Sequence, residues 1–234
     1  LSIKEWNMDS FMYNYLWKPL KTLGNNIRFI NAKTVLYLFT PLYLVGLYFA
    51  YHKQSLPSYI TGYFPLLTAF ISLLMILKAF TKRSEASKSW FLIIVSQLYM
   101  SLAISFNEQF EYTQLVLYLS GIVISAIIGY ICFSILNKHK ESTTLDKFHG
   151  HSYEHPRLAV IFLIACLGLA GFPITPTFIG EDVILGHIHE NQFLLTFIIS
   201  LCIILDGLSI FRLYSRLFLG PHDKGYHEKA YRSS

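Results

Sequence analysis

The stretch that decides the fold is 157-RLAVIFLIACLGLAGFPITPTFIGEDVILGHI-188, an apolar run that two prolines and two adjacent carboxylates interrupt. Its first part, up to the Gly-Phe pair, would rise about 21 Å as a helix, a large share of the hydrocarbon thickness of a bilayer. Pro173 and Pro176 each remove a backbone donor and disfavour helix in the preceding residue. We therefore predict a helix that breaks inside the membrane and restarts near Thr177 or Phe178.

The composition of the whole chain is that of a membrane protein. Of its 234 residues 53% are hydrophobic and 14% are charged, against roughly 25% charged residues in soluble domains. Five further stretches are long and apolar enough to cross a bilayer. They are residues 34–51, 58–80, 89–106, 112–136 and 192–218. We predict an all-α, polytopic transmembrane helix bundle of about six spans with one broken helix.

The distribution of basic residues supports six spans. If all six cross, eighteen Lys and Arg residues fall on one side of the membrane and Lys53 falls on the other. The eighteen are Lys4, Lys18, Lys21, Arg28, Lys33, Lys78, Lys82, Arg83, Lys88, Lys138, Lys140, Lys147, Arg157, Arg212, Arg216, Lys224, Lys229 and Arg232. Such asymmetry marks the cytoplasmic side, so we predict an inner (plasma) membrane protein with both termini cytoplasmic. The net charge of +5 then needs no nucleic-acid partner.

The first residues predict an interfacial amphipathic helix before the spans. In 3-IKEWNMDSFMYNYLWKPLKTLG-24, apolar side chains recur at helical spacing, and Trp6 and Trp17 are suitable membrane anchors. Pro19 should bend or end the regular part of this helix. An ordinary connector from an upstream span is the alternative. The predicted division is 1–32 for the interfacial segment, 33–220 for the transmembrane domain and 221–234 for a cytoplasmic tail.

The polar loop 138-KHKESTTLDKFHGHSYEHPR-157 contains four histidines near carboxylates. These are good metal ligands, yet their spacing matches no strong metal signature, so a solvated loop is favoured. The same holds for 187-HIH-189. The cysteines show no paired spacing and are interpreted as small apolar fillers of the spans. Since phosphate-loop, nucleophile-elbow and haem motifs are also missing, we expect no metal and no cofactor.

Three carboxylates are predicted at membrane depth: Glu181, Asp182 and Asp206. An ionisable group at the centre of a span costs about 2.5–3.5 kcal/mol, so it usually faces protein or water and serves a purpose. Glu181 should fall in the first turn of the restarted helix, where the helix N-terminus favours the charged form and desolvation favours the neutral form. Proton or ion translocation is one interpretation of Glu181 and Asp182, and capping of the second half-helix is the other.

Asp206 lies near the middle of the last span by helical rise. Arg212 is six residues further on and cannot pair with Asp206 along one face of the helix. Asp206 therefore needs a partner on another helix, or it stays protonated. A neutral, hydrogen-bonded acid and a proton-path residue are both consistent with this position.

Residues 146–185 resemble the late broken helix of the antiporter-like subunits of respiratory complex I and of Mrp-type cation/proton antiporters. In that family a D-x-x-x-G loop leads to a Pro-initiated helix, an L-A-G-x-P break and a Lys or Glu beyond it. The corresponding residues are Asp146, Gly150, Pro156, Leu169-Ala170-Gly171-Phe172-Pro173 and Phe178-Ile179-Gly180-Glu181. The resemblance implies that Glu181 is the terminal proton-transfer residue and that Gly171, with Pro173 and Pro176, forms the helix break.

The resemblance extends at lower specificity over residues 60–220. Gln97, in an S-Q pair, and Arg212, in an R-x-Y ending, match polar positions of the family and are expected to support the path. The fourth span lacks the His and Lys that several members carry there. A complete member has about twice as many spans, arranged as two inverted repeats. The resemblance therefore implies the second repeat, a carboxy-terminal portion of such a subunit.

The resemblance implies a proton-translocating or cation/proton-antiporting membrane subunit of a multi-subunit complex. Its partners would be other membrane subunits, the lipid bilayer, and protons or monovalent cations. In an NADH:quinone oxidoreductase such a subunit carries no redox chemistry itself. Membership in an inorganic-carbon uptake complex is one alternative, and a non-transporting assembly subunit on the same scaffold is another. An integral-membrane enzyme is disfavoured because no catalytic constellation accompanies the carboxylates.

Overall fold

The computed structural model describes residues 8–27, 29–106, 112–186, 188 and 191–221. Within these ranges every regular element is a helix. Some positions named in the sequence analysis lie outside the described residues. They are Lys4, Trp6, Arg28, His187, His189, Lys224, Lys229 and Arg232.

The helices follow in chain order. The first group is α1 (Met8–Met12), a π-helical turn (Tyr13–Trp17) and α2 (Lys18–Asn26). The second group is α3 (Ala32–Thr34), a second π-helical turn (Val35–Phe39) and α4 (Thr40–Tyr51). A 3-10 turn (Lys53–Ser55) precedes α5 (Ser58–Thr81), α6 (Ala86–Ile104) and α7 (Tyr112–Lys138). The last group is α8 (Pro156–Leu169), α9 (Pro176–Leu185) and α10 (Phe193–Phe218).

Four of these helices, α5, α6, α7 and α10, are long and apolar enough to cross a membrane by length and composition. The apolar helices Val35–Tyr51 and α8 are shorter. The interruption between α8 and α9 falls in the segment where the prolines predicted it. The predicted all-helical membrane bundle with one broken helix is therefore confirmed.

The segment from α1 to α2 packs beside one end of α5. Gly24 lies so close to the Leu77 carbonyl that an added Cβ would be 2.5 Å from its oxygen. Lys78 Nζ donates to the Gly24 carbonyl at 3.4 Å. Pro19 does not end this helix, because the preceding π-helical turn accommodates it and α2 continues beyond it. Exposed apolar side chains in the segment from α1 to α2 include Phe11 and Tyr15.

Small residues of α7 allow close contact with its neighbours. Gly121 lies against Thr177 of α9, and Gly129 lies against the Trp90 ring of α6. Gly180 of α9 lies against the backbone of Tyr118, where an added Cβ would be 2.6 Å from Cα. These contacts bring the broken helix and α7 closer together than side chains would permit.

The close contact at Gly180 makes a specific stability prediction. Gly180→Ala should lower the free energy of unfolding by about 1–3 kcal/mol, because the new methyl meets a backbone that cannot yield. The matched control is Gly207→Ala in α10, where no neighbouring atom lies within 4 Å. That control should be neutral or slightly stabilising, since alanine favours helix over glycine. Thermal unfolding in detergent measures both variants, and equal losses in the two would contradict the contact.

Three connecting segments meet at one end of the bundle, which we call the basic end: residues 82–85, 139–155 and 216–221. The Leu145 N–H donates to the Arg83 carbonyl at 2.8 Å, and the His149 N–H donates to the Arg216 carbonyl at 2.9 Å. These bonds place together the basic loops that the six-span arrangement assigns to one side.

The expectation of a solvated histidine loop is wrong for two of its members. His149 and His151 are 7% and 6% exposed, and their rings stack at 5.2 Å between centroids. His149 Nε2 contacts the Thr144 carbonyl at 2.9 Å, and burial lowers the pKa of this histidine. The loop is packed because its backbone pairs with both neighbouring segments, which the spacing of its polar residues does not reveal.

Candidate functional site at the helix break

The break begins where α8 ends in a left-handed glycine cap. Gly171 has a φ of +64°, a conformation that glycine adopts at little cost. The Phe172 N–H donates back to the Leu167 carbonyl at 3.0 Å, the long-range bond of a Schellman motif. The cap satisfies one of the carbonyls that the end of the helix exposes, and it turns the chain out of the helix axis.

The restart of the helix is set by Thr175 and Pro176. The Thr175 hydroxyl accepts from the Phe178 N–H at 3.4 Å, as an N-cap does. Pro176 occupies the first helical position, where its missing N–H is not needed. Since α9 begins at Pro176, Glu181 lies in its second turn, and the prediction of a first-turn position is wrong. The charge of the helix terminus consequently acts on Glu181 less than expected, because this effect fades within the first turn.

Gln97 of α6 connects the end of α8 to α10. Its Nε2 donates to the Leu169 carbonyl at 2.7 Å and also to Oδ2 of Asp206 in a short hydrogen bond. Leu169 is the last residue of α8, so its carbonyl has no partner within the helix. One amide group therefore satisfies both a carbonyl freed by the break and a carboxyl in the middle of another helix.

Asp206 is buried in the bundle, with 8% of its surface exposed. The expectation that it needs a partner on another helix is met by Gln97. Two acceptors of this pair, Asp206 Oδ1 and Gln97 Oε1, are buried without a hydrogen-bond partner among the described residues. Buried acceptors are costly when unpaired. Each of these two oxygens can thus accept a hydrogen bond from a further donor, and Asp206 can also take up a proton.

Glu181 lies beside the break, with its carboxylate next to Gly171. Its Oε2 is so close to Gly171 that an added Cβ on the glycine would overlap it. Asp206 is joined through Gln97 to the carbonyl of Leu169, two residues before the glycine that Glu181 contacts. The carboxylates of α9 and α10 therefore face one buried region, with the backbone of the break between the half-helices beside it.

Two predicted residues are not brought to this region. The Asp182 side chain is exposed. Arg212 lies at the basic end, where its Nη2 donates to the Lys82 carbonyl at 2.6 Å. The structure therefore separates Glu181 from its sequence neighbour and places Arg212 among the connecting loops.

Two polar residues of the region were missed by sequence reasoning. Tyr118 is 1% exposed, and Thr177 is fully buried with no partner for its hydroxyl among the described residues. Each lies three positions from a glycine on its own helix, Gly121 and Gly180 respectively. A polar side chain on the small-residue face of an apolar helix is the signal that could have identified both.

A group suited to metal binding lies in the loop at the basic end. Glu141, Glu154 and His155 place their ligand atoms within 4.8 Å of one another. Burial lowers the pKa of His155, which favours the neutral, metal-binding form of its ring. This group belongs to the packed loop and contributes no residue to the helix break.

The helix break lies in the part of the chain that matches known proteins. Residues 94–205 match a family model described as NADH:quinone oxidoreductase/Mrp antiporter, TM. The matched range includes Gln97, Gly171 and Glu181 and ends one residue before Asp206.

Three curated relatives illustrate the match. NADH-quinone oxidoreductase subunit M of Rickettsia felis is 35% identical over 102 residues, 44% of this chain and 20% of that protein. NADH-quinone oxidoreductase subunit N of Blochmanniella floridana is 36% identical over 86 residues, 36% of this chain and 17% of that protein. NADH-ubiquinone oxidoreductase chain 4 of Dictyostelium citrinum is 26% identical over 89 residues, 38% of this chain and 22% of that protein. The match thus spans about a fifth of the length of these relatives.

Proposed function

We propose that this chain forms part of a proton-translocating membrane subunit, because residues 94–205 match the family model described as NADH:quinone oxidoreductase/Mrp antiporter, TM, and the curated relatives are subunits of such oxidoreductases. In this proposal Glu181 and Asp206 exchange protons beside the break between α8 and α9. The observation that carries the proposal is the hydrogen bond from Gln97 to Asp206, since Gln97 also holds the last carbonyl of α8.

The amide of Gln97 suits a carboxyl group that changes its protonation. Its NH2 group donates to Oδ2 of Asp206, and this bond satisfies the carboxylate when Asp206 is ionised. When Asp206 is protonated, its O–H can donate to Oε1 of the same amide, which has no partner among the described residues. Both forms of Asp206 can then be satisfied with little rearrangement, as a residue that both accepts and releases protons requires.

Glu181 is the second member of the proposed relay. It lies on α9, which contacts α7 at Tyr118, in the part of that helix remote from Lys138 and the basic loops. Its carboxylate faces Gly171, whose lack of a side chain leaves room for it. A proton released by Asp206 would therefore meet Glu181 next. Asp182 is excluded from the relay because its side chain is exposed.

The setting of the relay follows from the relatives. Their names describe subunits of NADH-quinone oxidoreductases, and we propose that this chain likewise works beside other membrane subunits. Residues 33–220 would form its transmembrane domain, corresponding to the second repeat of the family. The basic end would face the cytoplasm, because its loops carry the excess of Lys and Arg. Whether a proton or a monovalent cation is moved is an outcome of the test below.

One observation favours a structural subunit as the second candidate function. Helix α7 carries no charged residue before Lys138 at its end, so the bundle offers no charged group on that helix at the level of the break. In that case Gln97 would serve only to hold α6, α8 and α10 together.

Proton flux separates the two functions. The complex that contains this chain is reconstituted into vesicles, and flux is followed with a pH-sensitive dye. Glu181→Gln keeps the size of the side chain and removes its titratable proton, so flux should fall by about tenfold or more. Asp182→Asn makes the same chemical change on the exposed neighbour and should leave flux unaltered. Repeating the assay with a sodium gradient identifies the ion.

Assembly of the complex is checked in parallel by its migration in native gels. Flux that stays at the wild-type level in fully assembled Glu181→Gln complexes would overturn the relay and support the structural function. An equal loss of proton flux in the Asp182→Asn complex would likewise contradict a specific role for Glu181.

A further inference from the structure

A cavity of about 760 Å³ opens at the basic end, between the first helical segment, the end of α5 and the end of α10. Four cationic side chains line it: Lys21, Arg83, Arg212 and Arg216. Among the described residues that line the cavity, one is acidic, Asp146. The proposed relay uses none of these groups, so the cavity is a separate feature of the chain.

Carboxylates of the described residues do not neutralise the cations of the cavity. Arg212 donates to the Lys82 carbonyl at 2.6 Å, and Arg216 donates to the Asp146 carbonyl at 3.3 Å. Among the side chains that the structure describes, none of the four cations forms a salt bridge. The positive charges of Arg83 and Arg216 also repel that of Arg212. Such convergence of like charges is unfavourable unless an anion joins them.

The carboxylate of Asp146 is already engaged. It accepts from the Thr144 hydroxyl at 2.5 Å and from the Lys147 N–H at 3.0 Å. These two bonds hold it within its own loop. Since four cations face this one carboxylate, the cavity keeps an excess of positive charge, and its arginines retain N–H groups beyond those that the backbone carbonyls occupy.

The chemistry of these side chains selects a phosphate group. The guanidinium fork binds phosphate oxygens in pairs, and lysine adds a compact charge. A zwitterionic headgroup would bring a second cation into a site that already repels cations. The preferred ligand therefore carries a phosphate and a net negative charge.

The remaining wall of the cavity is aromatic. Trp17 and Phe80 stack with their ring centroids 5.7 Å apart, and both line the cavity. Phe211 of α10 lines it as well and is 68% exposed, as expected for a side chain that faces acyl chains. The cavity thus combines cationic side chains with an exposed apolar wall at the end of membrane helices. This combination suits a lipid whose headgroup lies in the cavity and whose acyl chains lie in the bilayer.

We propose that this cavity binds the phosphate of an anionic phospholipid, with the guanidinium groups on the headgroup and the aromatic wall along the acyl chains. The lipid would join the first helical segment to the end of the bundle. The inference rests on the cavity and its charges, and it stands independently of the proposed proton relay.

Lipid-dependent thermal stability tests the proposal. The full chain in neutral detergent is titrated with phosphatidylglycerol, phosphatidylcholine or inorganic phosphate, and its unfolding temperature is recorded. A ligand of the folded state raises this temperature in a saturable way. Phosphatidylglycerol should do so at far lower concentration than the other two probes. Equal effects of the two lipids, or no effect of phosphatidylglycerol, would overturn the proposal, and equal effects of phosphate and phosphatidylglycerol would overturn its lipid part.

Matched variants locate the binding. Lys21→Gln and Arg83→Gln each remove one cation of the cavity without breaking a hydrogen bond to the backbone, and each should weaken phosphatidylglycerol binding roughly fivefold. Lys138→Gln removes an exposed charge at the same end and should leave the affinity unchanged. If the control weakens binding equally, the effect is general surface charge and the cavity is not the site.

A second measurement covers variants that fold poorly. In a Trp6→Phe background, which leaves Trp17 and Trp90, phosphatidylglycerol with brominated acyl chains should quench the tryptophan fluorescence, because Trp17 lines the cavity whereas Trp90 is fully buried in the core. Trp17→Phe should remove most of this quenching. Quenching that persists in Trp17→Phe would count against the site.

Discussion

Replacing Gln97 by leucine should lower the free energy of unfolding by about 3 kcal/mol, a factor of more than a hundred in the folding equilibrium. The side chain is 3% exposed, and its amide donates to both Leu169 and Asp206. Leucine of similar size fills the space but leaves a buried carbonyl and a buried carboxyl without their donor. The measurement is thermal or denaturant unfolding of the full chain in detergent.

A double-mutant cycle shows that the loss comes from the pair and not from packing. Asp206→Leu alone removes one of the two acceptors of the Gln97 amide, whereas Gln97→Leu with Asp206→Leu removes both members of the pair. The double variant should therefore be more stable than the sum of the two single losses predicts, by about 1–3 kcal/mol. Ser209→Ala is the control in α10, because within the described residues its hydroxyl donates to the Leu205 carbonyl of its own helix. Strict additivity would show that the hydrogen bond contributes nothing to stability.

Gly171→Ala should affect both stability and proton flux. Alanine at a φ of +64° costs about 1–2 kcal/mol, and its methyl group would overlap the Glu181 carboxylate. The side chain of Glu181 must then leave its position over the break. Unfolding measurements in detergent should show a loss of about 2–4 kcal/mol in total. The reconstituted complex should lose flux although Glu181 itself is unchanged.

The two causes are separated in a Glu181→Ala background. There the overlap is gone, so Gly171→Ala should retain only the backbone cost of about 1–2 kcal/mol. If Gly171→Ala costs as much in that background as in the wild type, Glu181 does not lie against the glycine. The comparison of flux needs only the Gly171→Ala variant, because Glu181→Ala already lacks the titratable group.

Much of the site could be predicted from the sequence because its elements are local. The break follows from Gly171, Pro173 and Pro176, whose backbone restrictions hold in any context. Asp206 was identified by its depth in an apolar span, and the need for a partner on another helix follows from the cost of burying a carboxyl. The predicted start of α9, near Thr177 or Phe178, is one or two residues late, because Pro176 is well suited to the first helical position as well as to a break.

By itself the sequence determined the number and order of the apolar helices, the interruption between α8 and α9, and the depth of Asp206. These depend on run length, on proline chemistry and on helical rise, which are properties of the chain near each residue. Tertiary structure decided that Gln97 meets residues 72 and 109 positions away, that Glu181 and not Asp182 faces the break, and that four cations converge on one cavity. Helices that are apolar on all faces do not reveal their rotation or their neighbours, and only packing determines which polar groups meet.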